Sequence, residues 1–215
     1  MRHSLLALTL LIGSLIAGRA ADPSKANETL LHGTSPYEDM IGFALAKNEA
    51  RLNKSVATAD KNAASVKGAL SPSAVSQFDA LLIAIHRALD AKEPHAVAAN
   101  AVEVFRLMID NLQAESLKIP KEVSLLDYAG FKLQVLAAAE KHDWPAMRKI
   151  VVDASGWWGA IKTKVSDKRL RDAFNSTVRG LEEAGKTENL PMLHFAAQID
   201  LDLVDLLESH FEGRK

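Results

Sequence analysis

A seven-residue pattern occurs twice in this chain and constrains its fold more than any other feature. Residues 39–45, DMIGFAL, return at residues 127–133 as DYAGFKL, so four of the seven positions match at a spacing of 88. Each copy is followed by a similar order of capping residues, prolines and apolar stripes. We therefore predict an internal duplication, with two similar halves packed about an approximate two-fold axis. The alternative is one bundle of similar amphipathic helices without common ancestry between the halves.

The amino terminus has the pattern of a secretory signal. Arg2 and His3 precede a mostly apolar run over residues 5–17, and small residues near Ala20 suit cleavage. The run is shorter than the roughly 20 apolar residues that cross a bilayer, and no cysteine is present for lipid attachment. We expect residues 1–20 to be a signal peptide, no membrane span after cleavage, and a periplasmic location. A retained anchor is the alternative.

The composition excludes several classes of protein. The chain has 26 Lys and Arg against 27 Asp and Glu, and loss of Arg2 and Arg19 with the signal would move its formal charge from -1 to -3. Nucleic-acid binding needs a clustered basic face, so no nucleic-acid partner is expected. Because the chain has no cysteine, it has no disulfide, thiolate metal ligand or covalent haem attachment. Core packing alone must hold the exported chain together.

The residue pattern predicts an all-α fold. Alanine, leucine, lysine and glutamate are abundant, and no run of alternating β-branched residues occurs. Ser35, Pro36 and Glu38 have the pattern of a helix start, so residues 21–34 are predicted to be a flexible lead. The expected fold is a helical bundle of two pseudo-symmetric repeats, each with three to four helices. The repeats cover residues 35–112 and 120–212, joined by a linker at 113–119 and packed as one domain.

The two halves differ in length by seven residues. The spacing between matched positions is 88 in the repeated pattern but 95 in the next segment, where Leu52 matches Met147. The prediction therefore places the extra residues near the chain break at His142–Pro145. Whether the first two helices of each half are continuous is left open by the pattern.

The repeated aspartates are the first candidates for a functional site. Asp39 and Asp127 would meet at the pseudo-two-fold axis, and Asp110 and Asp205 occupy equivalent positions in the last helix of each half. Paired carboxylate oxygens suit hard metal ions and charged amines. The alternative is that Asp39 and Asp127 stabilise backbone amides near a helix start by about 0.3–1 kcal/mol, and that Asp205 is solvated on the outer face.

Asp200 lies beside the apolar stripe of the last predicted helix. A carboxylate there is costly unless it is paired or bound to a cation. The predicted site for a divalent metal ion or a small cationic ligand therefore consists of Asp39, Asp127, Asp110, Asp205 and Asp200.

Three further expectations concern packing. Gly42 and Gly130 are predicted to allow close helix crossings, because a missing side chain lets two backbones approach. Phe43 and Phe131 beside them are predicted to be core anchors. Trp157 is expected to cover the seam between the two halves.

No catalytic motif is present. The sequence lacks H-x-x-x-H, H-E-x-x-H and E-x-x-H spacings, a G-x-S-x-G elbow and a glycine-rich phosphate loop. We therefore expect an exported binding or accessory protein rather than an enzyme. The alternative is a periplasmic interaction protein that presents a helical face to an envelope protein partner and has no small-molecule ligand.

Overall fold

The computed structural model describes residues 22–213, and this part of the chain folds into eight α-helices with two short 3-10 turns and no strand. The helices are α1 (Pro23–Leu45), α2 (Glu49–Ala69), α3 (Pro72–Asp90), α4 (Pro94–Asp110), α5 (Lys121–Ala137), α6 (Trp144–Ile161), α7 (Lys168–Thr187) and α8 (Leu190–Glu212). The all-α prediction is confirmed. The predicted signal peptide at residues 1–20 lies outside the described residues.

The helices pack in two groups of four. In the first group α1 packs against α2 and α4, and α3 packs against α4. In the second group α5 packs against α6 and α8, and α7 packs against α8 and also against α6. The contact between α4 and α5 joins the groups, and their buried apolar residues form one continuous core.

The first helix begins earlier than the sequence predicted. Asp22 caps α1 by accepting from the amide of Ser24 at 3.1 Å, and the helix continues through Pro36 to Leu45. Residues 23–34 are therefore helical where a flexible lead was expected. Pro36 removes one backbone donor from the helix, but Leu30 is only 1% exposed and anchors the turns before it in the core.

The start of α1 is tied to the connection between the two groups of helices. The side-chain amide of Asn27 donates to the carbonyl of Gln113 at 2.9 Å, and its oxygen accepts from the amide of Gln113 at 2.8 Å. Asn27 is only 3% exposed. These two hydrogen bonds fix residues 111–120, which include the 3-10 turn Ala114–Ser116, against α1.

The second group of helices is longer than the first at its first helix–turn–helix. Both first pairs are broken by a turn, of three residues at 46–48 and six at 138–143. The fifth helix also extends to Ala137, four residues beyond Leu133, whereas α1 ends at the matching Leu45. Three residues in the turn and four in the helix account for the length difference.

The later helix starts keep a nearly constant spacing between the two groups. Lys92 and Glu188, in the turns before α4 and α8, both adopt left-handed backbone conformations, with φ of 58° and 52°. The N-cap positions of the second, third and fourth helices lie 95, 96 and 96 positions apart: Asn48 with Asp143, Ser71 with Asp167, and Glu93 with Asn189.

Only one of the two glycines marks a close crossing. A Cβ on Gly130 would stand 2.6 Å from Leu201 Cδ2, whereas a Cβ on Gly42 would meet nothing within 4 Å. The prediction is right for Gly130 and wrong for Gly42. The two phenylalanines are only partly buried: Phe43 lies beneath the Arg51 guanidinium at 5.5 Å, and Phe131 packs edge-on at 5.8 Å against Phe105. They flank the core instead of anchoring it.

Trp157 covers the seam between the two groups of helices. The guanidinium of Arg106, on α4, lies 5.0 Å from the ring centre of Tyr128 on α5 and 5.2 Å from that of Trp157 on α6. A guanidinium over an aromatic face is attracted by about 0.5–1 kcal/mol at partly exposed sites. The predicted role of Trp157 is confirmed by this arrangement.

None of the helices within residues 22–213 combines sufficient length with sufficient apolarity to cross a bilayer.

Candidate functional site

A cleft of about 540 Å³ lies between α1 and α8. It exists because α1 packs mainly on α2 and α4, while α8 packs mainly on α5 and α7. Its floor is formed by α4, α5 and the connection between them. Its carboxylates are Glu28, Glu38, Asp127, Asp205, Glu208 and Glu212. Its apolar residues are Leu31, Phe105, Ile109, Leu112, Leu117 and Ile119.

The carboxylates are spread along the cleft. Glu28 and Glu38 are ten residues apart on α1, which corresponds to about 15 Å at 1.5 Å per residue. On the facing wall, Asp205, Glu208 and Glu212 follow one another along α8. Asp205 lies close enough to Glu38 for its charge to raise the pKa of that carboxyl. Glu38, Asp127 and Asp205, of which Asp205 is exposed to solvent, together form what we call the inner end of the cleft.

Asp127 is the most perturbed carboxyl of the cleft. It is a partly buried residue on α5, between the buried residues Leu126 and Tyr128. Burial raises its pKa well above the usual range, and the charges of four further carboxyls raise it further: Glu38, Glu208, Asp200 and Asp205. A cation placed beside Asp127 would relieve this repulsion and lower the pKa.

Glu38 has a similar environment on the opposite wall. Burial raises its pKa first, and the charges of Asp39 and Asp205 act in the same direction. A hydrogen bond from Thr34, one turn earlier on α1, opposes the shift. The inner end of the cleft thus brings together two carboxyls whose ionised forms are both disfavoured without a counter-charge.

Asp200 lies on α8 behind the cleft and is fully buried, with 0% exposure. Neither of its side-chain oxygens has a hydrogen-bond partner among the described residues. Burial raises its pKa well above the usual range. From the sequence we expected a carboxylate at this position to lie beside apolar residues and to be costly. The structure confirms that Asp200 is buried without a compensating partner among the described residues.

The structure does not gather the five predicted aspartates. Asp127 and Asp205 line the cleft, and Asp200 lies close enough to act on Asp127. Asp39 lines a separate hollow, together with Arg51 and Lys54. The predicted meeting of Asp39 with Asp127 is therefore not formed, because Asp39 lies on the exposed face of α1.

Asp110 is also outside the cleft. It is exposed at the end of α4, where its carboxylate accepts from Arg106 Nε at 2.8 Å. Its backbone carbonyl accepts from Lys121 Nζ at 3.0 Å. In residues 22–213, no group of three or more histidine, aspartate or glutamate side chains is arranged to hold a metal ion.

Four carboxylates of the cleft are missing from the site predicted from the sequence: Glu28, Glu38, Glu208 and Glu212. Glu28 was assigned to the flexible lead, and Glu38 to a helix start. Helical spacing contained a usable signal, because Glu38 follows the buried Thr34 by four residues and Glu208 follows the buried Val204 by four. Each lies on a face turned toward the interior, unlike Asp39.

A smaller hollow of about 230 Å³ lies at the other end of the first group of helices, between the turns that follow α1 and α3. Its charged lining residues are two lysines and two glutamates: Lys47, Lys92, Glu49 and Glu93. Because these charges balance, the hollow has no comparable preference for a charged ligand. The larger, acidic cleft is the better candidate site.

Comparison of the chain with protein-family models, with curated proteins and with solved structures finds no match. The chemistry of the cleft is therefore inferred from its own side chains. These provide carboxylates along two walls and apolar side chains across the floor, with Lys118 and His32 as the basic residues of the lining. Such a surface favours a positively charged ligand that also has apolar groups.

Proposed function

We propose that this protein binds a small organic cation in the cleft between α1 and α8. The observation that carries the proposal is Asp127, a carboxyl held among Glu38, Asp205 and other acids at the inner end of the cleft. An ammonium group at this position would pair with Asp127 and offset the repulsion between the carboxyls. The proposed role is binding rather than catalysis.

The shape of the cleft favours an extended amine over a compact ion. Acidic residues occur from Glu28 to Glu38 along α1, over about 15 Å, and Phe105 and Ile109 line the floor beneath them. A linear di- or polyamine places charged nitrogens at intervals along an apolar carbon chain. Its nitrogens suit the carboxylates, and its methylene groups suit the apolar floor.

The proposal includes a location. The predicted signal over residues 1–20 would deliver the protein to the periplasm, where it would meet extracellular amines. Detection in the periplasmic fraction of a chain that starts near Ala21, by intact-mass measurement, would support this assignment. A chain that retains residues 1–20 in the membrane fraction would refute it.

We also infer that the two groups of helices arose by duplication. The support is the shared set of pairings, in which the first helix packs on the second and fourth and the third packs on the fourth. The near-constant spacing of the helix caps adds to this. Superposition of residues 35–112 on 120–212 tests the idea, because unrelated groups of helices would not share helix directions along their whole length.

Calorimetric titration of the purified protein tests the proposed function. The probes are 1,4-diaminobutane, spermidine, tetramethylammonium, Mg²⁺ and Ca²⁺. We expect the linear amines to bind most tightly and to stabilise the fold by about 2.7 kcal/mol at 100 times their dissociation constant. Tighter binding of a divalent metal would mean that the cleft holds a metal ion rather than an amine. No binding by any probe would refute the cation proposal.

Two pairs of variants locate the site. Asp127→Asn and Glu38→Gln should each weaken amine binding at least tenfold, because they remove a charge from the inner end of the cleft. Asp39→Asn and Asp110→Asn are the matched controls, because neither aspartate lines the cleft and Asp110 pairs with Arg106. Loss of binding in the controls but not in the cleft variants would contradict the assignment.

The second candidate function, a partner-binding protein, is favoured by the outer face of α8. Phe195 is 67% exposed and Leu206 is 54% exposed, and their spacing of eleven residues, three helical turns, places them on one side of the helix. A photo-crosslinking residue at position 195 should capture a defined envelope protein if this function is correct. The same residue at position 152, where Val152 is 69% exposed on α6, is the control.

A further inference from the structure

Asp200 lies at a close approach between α5 and α8. A Cβ on Gly130 would stand 3.1 Å from Asp200 Oδ2 and 2.7 Å from Leu201 Cγ, so the absence of a side chain on Gly130 is what admits both residues. Asp200 is fully buried, and its oxygens have no hydrogen-bond partner within residues 22–213. An ionised carboxylate in this contact would lose its hydration and gain nothing in return.

The surrounding elements offer no compensating charge. On α5, the titratable group that interacts electrostatically with Asp200 is Asp127, which is itself an acid. The amine of Lys132, also on α5, donates to Glu103 of α4 at 2.6 Å. The buried residues of α7 include no titratable side chain. On α8 itself, Asp202 is exposed and accepts from Gln198 at 3.1 Å. The contact between α5 and α8 therefore fits the neutral, protonated form of Asp200.

We propose that the Gly130–Asp200 contact is a proton-operated latch, which holds α5 against α8 while Asp200 is protonated and releases them when the proton leaves to solvent. An ionised Asp200 needs water, and water reaches it only if the two helices separate. Because Asp127 on α5 and Asp205 on α8 both line the cleft, this separation would widen its inner end. The effect on ligand binding rests on the proposed function, but the latch itself does not.

Pulsed electron paramagnetic resonance between two spin labels tests the latch without any ligand. The chain has no cysteine, so Ala138→Cys and His194→Cys supply the only attachment points. Both positions are exposed. Gln134 Nε2 donates to Gln198 Oε1 at 2.9 Å. This hydrogen bond also joins α5 to α8, and along both helices it lies between the Gly130–Asp200 contact and the labelled positions. We expect the distance between the labels to lengthen and broaden as the pH rises from 5 to 9.

Asp200→Asn in the labelled protein should keep the low-pH distance over the whole range, because asparagine has nearly the same shape and no proton to lose. Asp202→Asn is the control and should retain the pH response. A distance that does not change with pH, or that changes equally with Asp200→Asn, would overturn the latch. A pH-dependent distance in a protein that binds no amine would support the latch and refute the proposed function.

Discussion

Asp200 occupies space that a side chain at position 130 would need: its Oδ2 lies 3.1 Å from where a Cβ on Gly130 would stand. The equivalent glycine of the repeated pattern, Gly42, has open space around the same position. Two residues that match in sequence therefore have different packing roles. Their difference provides an internal control for experiments on the α5–α8 contact.

Gly130→Ala should destabilise the fold, whereas Gly42→Ala should not. The added methyl group would overlap Leu201 and force α5 and α8 apart, and overpacking of this kind costs about 1–3 kcal/mol. At Gly42 the better helix propensity of alanine should be neutral or stabilising by up to about 1 kcal/mol. Urea unfolding of both variants measures the difference. Equal free energies of unfolding would show that the contact at Gly130 adjusts without cost.

Asp200→Asn should stabilise the fold increasingly as the pH rises. Burial raises the folded-state pKa of Asp200 above its unfolded value, so the stability associated with its proton is complete below about pH 4 and is lost as the pH rises through the folded pKa. Asparagine does not suffer this loss. The difference in free energy of unfolding between Asp200→Asn and the wild-type protein should grow by about 1.4 kcal/mol for each pH unit within that window.

Urea unfolding of the wild-type protein and of Asp200→Asn between pH 4 and pH 8 measures this trend. Asp202→Asn, which alters an exposed carboxylate on the same helix, should give a curve close to that of the wild type. A constant difference between Asp200→Asn and the wild-type protein across the range would mean that Asp200 titrates normally.

Amine binding should weaken as the pH falls. The pKa values of Asp127 and Glu38 are both raised, chiefly by burial, so these carboxyls take up protons at a higher pH than ordinary acids and lose the charge that attracts the ligand. For each proton displaced, affinity changes up to tenfold per pH unit. Calorimetry between pH 5 and pH 8, in two buffers of different ionisation enthalpy, should detect proton release on binding. Binding without proton release would exclude these two carboxyls as the primary contacts.

Asn27→Ala should destabilise the protein by about 1–3 kcal/mol, because it leaves the amide and carbonyl of Gln113 without their partners. Thr29→Ala is the control, because its hydroxyl bonds only to the carbonyl of Lys25 within the same helix and its loss should cost less than about 0.5 kcal/mol. Thermal unfolding compares the two variants. Equal midpoints would show that the start of α1 contributes little to the stability of the fold.

The sequence predicted the helical class, but not the start of the first helix. Ser35, Pro36 and Glu38 have the local pattern of a helix start, and Asp22 with Pro23 has another. The local residue pattern does not decide at which of these two positions the helix begins. The burial of Leu30 and Asn27 against distant parts of the chain favours the earlier start, and such tertiary contacts are not visible in a single sequence.

The candidate site was only partly predictable for a related reason. Asp39 was chosen because it recurs with Asp127, but recurrence does not specify which side of a helix is buried. Its neighbours Tyr37, Met40 and Ile41 are buried and leave Asp39 outside. Asp200 was anticipated correctly because its position beside an apolar stripe is a statement about helical geometry, which the sequence does contain.

The pairing of Asn27 with Gln113 also has a consequence for the order of assembly. Asn27 precedes Gln113 by 86 residues, so during synthesis it emerges long before its partner exists. The opening turns of α1 must therefore wait, without these two bonds, until four helices and the connection after them have been made. The earliest segment of the described chain therefore stays without these bonds until about half of the 215 residues have been made, and nascent chains shorter than about 113 residues should leave it open to proteases.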